Sequence, residues 1–229
     1  MATHHGFDLG PHRDLDALPL RERKKIQTGI RIFRTAVVLF AERGFDQVSV
    51  AEIAAAAEVS KMTVFNYFPT KEDLVMGPME QHLDEPARAV RDRAPGTSAV
   101  VALREHFLAA LEHKDPATGL NDDRVVLDVI RLIHATPALA ARATAGFGQQ
   151  AQTLLATELC AQDPAHDELT ARVAAAQLLA VRLTLIGGNH RRMLAGESAD
   201  AALPAALDEA RRAFASVEHG LGDYCAAHA

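Results

Sequence analysis

The chain has no tryptophan, two tyrosines and two cysteines in 229 residues. Aromatic runs of the kind that favour sheets are therefore scarce. No segment alternates apolar and polar residues with period two, so strand is expected to be nearly absent. Cys160 and Cys225 lie far apart in the sequence, with no CxxC and no metal-spaced companion. That pattern excludes a disulfide framework and a redox pair, and reads as buried or incidental thiols in a reducing cytoplasm. No leader with a cleavage site and no apolar run of roughly 18 residues stands out, so a soluble, cytoplasmic protein is expected. A glycine-rich phosphate loop, a Gly-x-Ser-x-Gly elbow and His/Glu metal spacing are all missing. No catalytic residue, cofactor or metal site is therefore expected, and the chain does not read as an enzyme. His4, His5 and His12 fall in a tail, Met1 to Leu20, whose composition lacks apolar periodicity and reads as mobile, and the three are taken as solvated histidines.

Alanine, leucine, glutamate and arginine are plentiful instead, and the fold class expected is all-α. The formal charge of −6 argues at first against a nucleic-acid partner. Its distribution argues the other way. Arg21 to Val75 holds nine Lys and Arg against seven Asp and Glu, whereas Met76 to Ala229 holds fourteen against twenty. Positive charge is thus confined to the N-terminal part, and Arg21, Arg23, Lys24 and Lys25 cluster just ahead of the first predicted helix, where they are suited to neutralising phosphates.

The stretch Val48 to Lys71 organises the rest. Ser49 followed three residues later by Glu52 is a capping box, so a helix starts near Val50. Ile53, Ala54 and Ala57 form its inner stripe, and the alanines from 54 to 57 leave room for a close neighbour. Glu58-Val59 makes a turn, and Ser60 caps a second helix from Lys61 to Phe68. In that helix Val64 and Phe68 face the first, while Lys61, Met62, Thr63, Asn66 and Tyr67 project elsewhere. A cation, a hydroxyl, an amide and a phenol at one helix N-terminus suit base edges and phosphates in a major groove. Pro69 stops the helix, Thr70 caps the next one, and Lys71 follows. Upstream, Ile26, Ile30, Phe33, Val37 and Phe40 recur as one apolar stripe, ended by Gly44, with Thr28 as a possible cap and Gly29 as a weak point.

The run FAERGFDQVSVAEIAAAAEVSKMTVFNYFPTKEDL resembles the N-terminal DNA-binding domain of TetR-family transcriptional regulators, with similarity from about Thr28 to Leu74. The resemblance implies that the second helix of the pair enters the major groove. Lys61, Met62 and Thr63 then match positions that face bases or the groove edge, and Tyr67 and Lys71 match positions that meet phosphates. Thr28, Ser49, Ala51, Ser60 and Asn66 complete the implied DNA contacts. Two positions depart from the pattern: Phe65 stands where a tyrosine is more usual, and Met62 where a glycine or small residue is common.

The sequence therefore divides into a tail at 1–20, a three-helix DNA-binding domain at 21–75 and a larger helical domain at 76–229, about nine helices in total. Helix 4 is placed from about Lys71 to Leu83. Later helices are placed near 97–113, 122–135, 138–161, 166–189 and 200–219, divided by loop signals such as Pro95-Gly96 and Pro116 to Gly119. The last two carry seams with four-three spacing: Leu169, Val173, Ala176, Ala180, Leu183 and Gly187, then Leu203, Leu207, Ala210, Phe214 and Val217. The resemblance implies that these two helices pair in a homodimer and that the domain binds a small-molecule effector that releases a palindromic operator. FNYFPTKEDLV further resembles a branch of the family with acyl-thioester or other hydrophobic effectors. Polar or aromatic residues within apolar helix patterns are the candidates for lining the ligand site: Phe107, Arg131, His134, Phe147, Gln177 and Arg182. A helical protein-interaction adaptor is the alternative reading, and it has no need for the basic cluster.

Overall fold

The computed structural model describes residues 18–163 and 167–221; Cys225, the three tail histidines and most of the expected tail lie outside them. In chain order the α-helices are α1 (Leu20–Arg43), α2 (Val50–Ala56), α3 (Lys61–Tyr67), α4 (Asp73–Glu80), α5 (Glu85–Arg91), α6 (Ala99–Glu112), α7 (Arg124–Ala135), α8 (Pro137–Ala141), α9 (Gly148–Gln162), α10 (Glu168–Leu194) and α11 (Ala199–Leu221). Pro116–Thr118 forms a 3-10 turn, and Arg142–Phe147 is a π-helical stretch joining α8 to α9. Among the described residues there is no strand, as the sequence predicts. The chain divides into two compact units. The first comprises the described residues up to Gln81 together with Asp123–Ala143, and the second His82–Asp122 with the described residues from Thr144 on. The sequence division is contiguous, whereas here α7 and α8 return to the first unit.

In that first unit, α1 runs unbroken from Leu20 through Gly29, which is buried, so Thr28 lies inside the helix and does not cap it. The basic cluster correspondingly forms the first turns of α1 and does not precede it. Ile32, Ala36, Val37 and Phe40 are fully buried, which widens the expected stripe into the core of the unit. The next helix starts where expected. Ser49 N–H donates to Glu52 Oε2 at 2.8 Å, and Glu52 N–H donates back to Ser49 Oγ at 3.2 Å. Arg43 closes the group by donating to Glu52 Oε1 at 2.7 Å. The bonds from the Ser49 backbone and hydroxyl, then Arg43, lower the Glu52 pKa to about 2. A second reciprocal pair opens α4, with Thr70 N–H donating to Asp73 Oδ2 at 2.8 Å and Asp73 N–H to Thr70 Oγ1 at 3.2 Å. Arg142 ties this cap down through Asp73 Oδ1 at 2.5 Å and also pairs with Glu80. Pro78 lies in the second half of α4 and removes a donor there, and the helix stops at Glu80, short of Leu83.

The second unit is built on α10, which packs against α9 and α11, while α6 packs against α11 and α5. Leu103, Phe107, Leu111, Leu155, Leu159 and Phe214 fill its core, with the Phe107 and Phe214 rings 6.1 Å apart. The helix α5 falls in the stretch between Leu83 and residue 97 where the sequence places no helix, and it carries Pro86 in its first turn. Proline in the first turn of a helix lacks only a donor that would be unpaired anyway. The expectation of no long apolar stretch is also corrected: α10 is long and apolar enough to cross a membrane by length and composition alone. Its alanines raise its hydropathy, and one face, Ala171, Ala174, Ala175 and Leu178, is buried within the unit. The seam expected on α10 points the other way. Leu169 is 66% exposed, Val173 46% and Leu183 59%, whereas Ala210 and Phe214 of the α11 seam are fully buried.

Gly119 shows how closely the 3-10 turn approaches α10. Its φ is +75°, and a Cβ there would lie 2.7 Å from both His190 Cδ2 and the Ile186 carbonyl oxygen. Nearby, Asn189 Nδ2 donates to the Thr118 carbonyl at 2.9 Å, holding the turn down. Gly196 has φ +88° but open space around it. Gly119→Ala is therefore expected to destabilise by about 2–4 kcal/mol and Gly196→Ala by about 1 kcal/mol, measured by urea denaturation. Equal losses would mean the close approach is not what fixes Gly119. In acid, Glu52 has a depressed folded pKa, so its contribution is complete above the unfolded value near 4.5 and disappears as pH falls through about 2. The wild-type melting advantage over Glu52→Gln should follow that window; an advantage independent of pH would contradict it.

Candidate nucleic-acid interface

Three local features produce the pair α2–α3. At the end of α2, Val59 N–H donates to the Ala54 carbonyl at 2.9 Å and Glu58 N–H to the Ala55 carbonyl at 3.1 Å, the paired bonds of a Schellman stop. Glu58 sits at φ +54°, a left-handed conformation usually given to glycine, and it reverses the chain in the fewest residues. Ser60 then caps α3, its Oγ accepting the Thr63 N–H at 3.0 Å and lying 2.8 Å from the Thr63 hydroxyl. Val64 of α3 and Phe68 at its C-terminal end insert into the core at 0% and 3% exposure, alongside Ile53 and Ala54 of α2 and Ala57 at its end. These are the residues the sequence assigns to that contact.

With one face so anchored, the opposite face of α3 has no partner in the first unit. Met62 is 69% exposed and Phe65 38%, and Lys61 and Asn66 are exposed beside them. The Lys61 ammonium lies 5.7 Å from the centre of the Phe65 ring. Thr63 and Tyr67 are half-buried, with the Thr63 hydroxyl held by Ser60. Ser49, Ala51 and Ser60 are exposed at the starts of the two helices. Lys71 has its ammonium over two rings, 4.6 Å from the centre of Phe45 and 5.6 Å from that of Phe40, which fixes the position of the cation. Thr28 is half-buried midway along α1. On the first turns of α1, Arg21, Lys24 and Lys25 are exposed. Cations at a helix N-terminus oppose its macrodipole, so the placement does not serve the helix itself.

The expected ligand residues divide between the two units. Arg131 and His134 are exposed on α7, in the first unit, and Arg131 pairs with Asp128 at 2.9 Å on its own helix. Gln177 is exposed on the outward face of α10. All three are surface positions within their units: a polar residue in an apolar helix pattern does not say which face the core covers. Phe107, Phe147 and Arg182 are buried in the second unit, and the Arg182 guanidinium lies 5.5 Å from the Phe107 ring centre. His106 and Glu85, beside Arg182 in charge, were missed; the histidine preceding Phe107 was the available signal. No group of three or more His, Cys, Asp or Glu that could hold a metal occurs among the described residues.

Residues 32–76 match the family of bacterial regulatory proteins, tetR family. The chain is 30% identical over 123 residues to the transcriptional regulator TcmR of Streptomyces glaucescens, covering 53% of this chain and 54% of that one. It is 42% identical over 64 residues to LuxR of Vibrio harveyi, covering 27% and 31%. The match thus spans about half the length of TcmR and about a third of LuxR. Among solved structures, GusR of Salmonella enterica superposes with a TM-score of 0.54 at 20% identity, covering 85% of this chain and 95% of that one. NalD of Pseudomonas aeruginosa, described as the secondary repressor of the MexAB-OprM efflux pump, also gives 0.54 at 20% identity, with 83% and 96% covered. At such identities these two establish the shared all-helical fold alone. The family match over residues 32–76 takes in the capped α2–α3 pair, so that segment is a DNA-binding domain of the bacterial tetR-family type.

Proposed function

We propose that the protein is a ligand-responsive transcriptional regulator, a repressor, that binds a near-palindromic operator as a homodimer in the cytoplasm and is released when a small hydrophobic or amphipathic molecule binds its C-terminal domain. The observation that carries this reading is the exposed, polar and aromatic face of α3, held outward by Val64 and Phe68. Lys61, Met62 and Thr63 are assigned to base edges or the groove edge, and Tyr67 and Lys71 to phosphates, with Thr28, Ser49, Ala51, Ser60 and Asn66 along the same approach. The cations at the start of α1 supply charge neutralisation. Residues 21–75 are the DNA-binding domain in this reading, with α7 packed on α1 as its support, and residues 76–229 hold the effector and dimer functions.

The apolar face of α10 supports the dimer. Leu169, Val173 and Leu183 stand exposed on one side of a long helix, a patch of the kind that a partner surface covers. In a twofold dimer the same patch meets itself, and two copies of α3 separated by about 34–36 Å reach successive major grooves on one side of the duplex. An effector that favours a different separation weakens operator binding by its coupling free energy, typically about 1–3 kcal/mol.

Binding of a palindrome selected from random DNA, titrated with salt, tests the reading. Lys61→Ala or Thr63→Ala should change which bases are preferred, by about 1–3 kcal/mol at the affected position. Lys71→Ala should weaken all sequences alike and reduce the salt slope by about one. Lack of sequence preference at every salt concentration would defeat the regulator reading and favour an adaptor. Leu183→Asp should turn the dimer into a monomer in analytical ultracentrifugation, and an unchanged dimer would remove α10 from the interface.

A further inference from the structure

Within the second unit, α10 carries a charge into the core. Arg182 is 7% exposed, and its Nη1 has no hydrogen-bond partner. A guanidinium presents five donors and stays charged at all relevant pH, so a structural arginine at this depth is ordinarily paired with a carboxylate. Here Glu85 and Asp115 act on it only through space, and Glu85 Oε1 is taken by His82 Nδ1 at 2.6 Å. The Phe107 ring, 5.5 Å from the guanidinium carbon, orients the cation without accepting its hydrogen bonds.

A second unsatisfied group stands close by. His106 precedes Phe107 on α6, and its Nδ1 is sealed from solvent with no partner. Burial first, and then the Arg182 charge, hold its pKa below the ordinary value, so the ring is neutral. His106 also lines a cleft of about 490 Å³ between α5 and α6, a volume in the range of small-molecule sites. The cleft walls carry both signs, Arg88 and Arg93 against Glu85, Asp92 and Glu105. They select no charge, and Arg182, which is not among them, acts through its charge on His106, which is.

We propose that Arg182 and His106 form the headgroup site for a carboxylate-bearing ligand whose body occupies the α5–α6 cleft. One carboxylate oxygen accepts from Arg182 Nη1 and the other from the His106 ring, so two unsatisfied buried nitrogens gain partners together. A single negative charge matches the charge of Arg182, whereas a phosphate dianion would carry a second charge toward Glu85 and Asp115. Calling this ligand the effector rests on the regulator reading above. The site itself does not.

The test uses the full-length chain, with hexanoate as probe and hexanamide and inorganic phosphate as controls, in thermal melting and titration calorimetry. Hexanoate should raise the melting midpoint with concentration, and hexanamide and phosphate should not. Arg182→Met, which removes an unpaired buried charge at similar volume, should melt at or above wild type without ligand and lose hexanoate affinity by at least about tenfold. His106→Leu, which keeps the cation, should lose several-fold. Equal responses to hexanoate and hexanamide, an equal response to phosphate, or no hexanoate response would overturn the proposal. So would an Arg182→Met protein that melts well below wild type, because Arg182 would then be a structural cation. A persistent Arg182-dependent hexanoate response in a protein that binds no operator would sink the regulator reading and leave the site standing. Normal operator binding with no hexanoate response would do the reverse.

Discussion

The insertion of Val64 from α3 and of Phe68, the residue that ends it, into the core of the first unit is the contact on which the rest depends. A helix of seven residues is too short to persist by itself in water, because its nucleation cost is not recovered over so few hydrogen bonds. Two side chains at spacing four anchor it, Ser60 satisfies the free Thr63 N–H in its first turn, and the Schellman stop before it fixes its direction. Once that face is committed to the core, every other residue of the helix is free to be chosen for an external partner. Met62 and Phe65 exposed beside Lys61 are a poor choice for water and a sensible one for methyl groups and base edges.

Much of this arrangement was legible in the sequence because it is local. The Ser49–Glu52 box, the Ser60 cap and the apolar positions of α2 and α3 each involve residues within a few positions of one another, and short-range chemistry decides them. What was not legible depends on distant pairings. The face of α10 that meets the core is set by α9 and α11, so Leu169, Val173 and Leu183 carried a clear period without saying which side it faced. Arg131, His134 and Gln177 sat at plausible spacings, yet the first two belong to a helix that joins the N-terminal unit. The helix α5 was hidden for a different reason: proline punctuates a chain both as a breaker and as a first-turn residue, and only the turn that follows Pro86 distinguishes the two.

Within the second unit, α10 combines unlike demands. Its alanines allow close packing, its leucines and valine present an uncovered face, and Arg182 lies on the buried side next in sequence to exposed Leu183. In the proposed regulator that adjacency places ligand binding and subunit pairing on a common helix.

The central claim is that the outward face of α3 enters a duplex groove. Hydrogen exchange of the full-length chain, with and without a palindrome selected from random DNA, measures it directly. The account predicts that the largest added protection falls on Lys61–Tyr67, with a smaller effect on the start of α1, and that a scrambled duplex of equal length leaves α3 unprotected. Protection centred elsewhere, or equal protection of α3 by both duplexes, would contradict it.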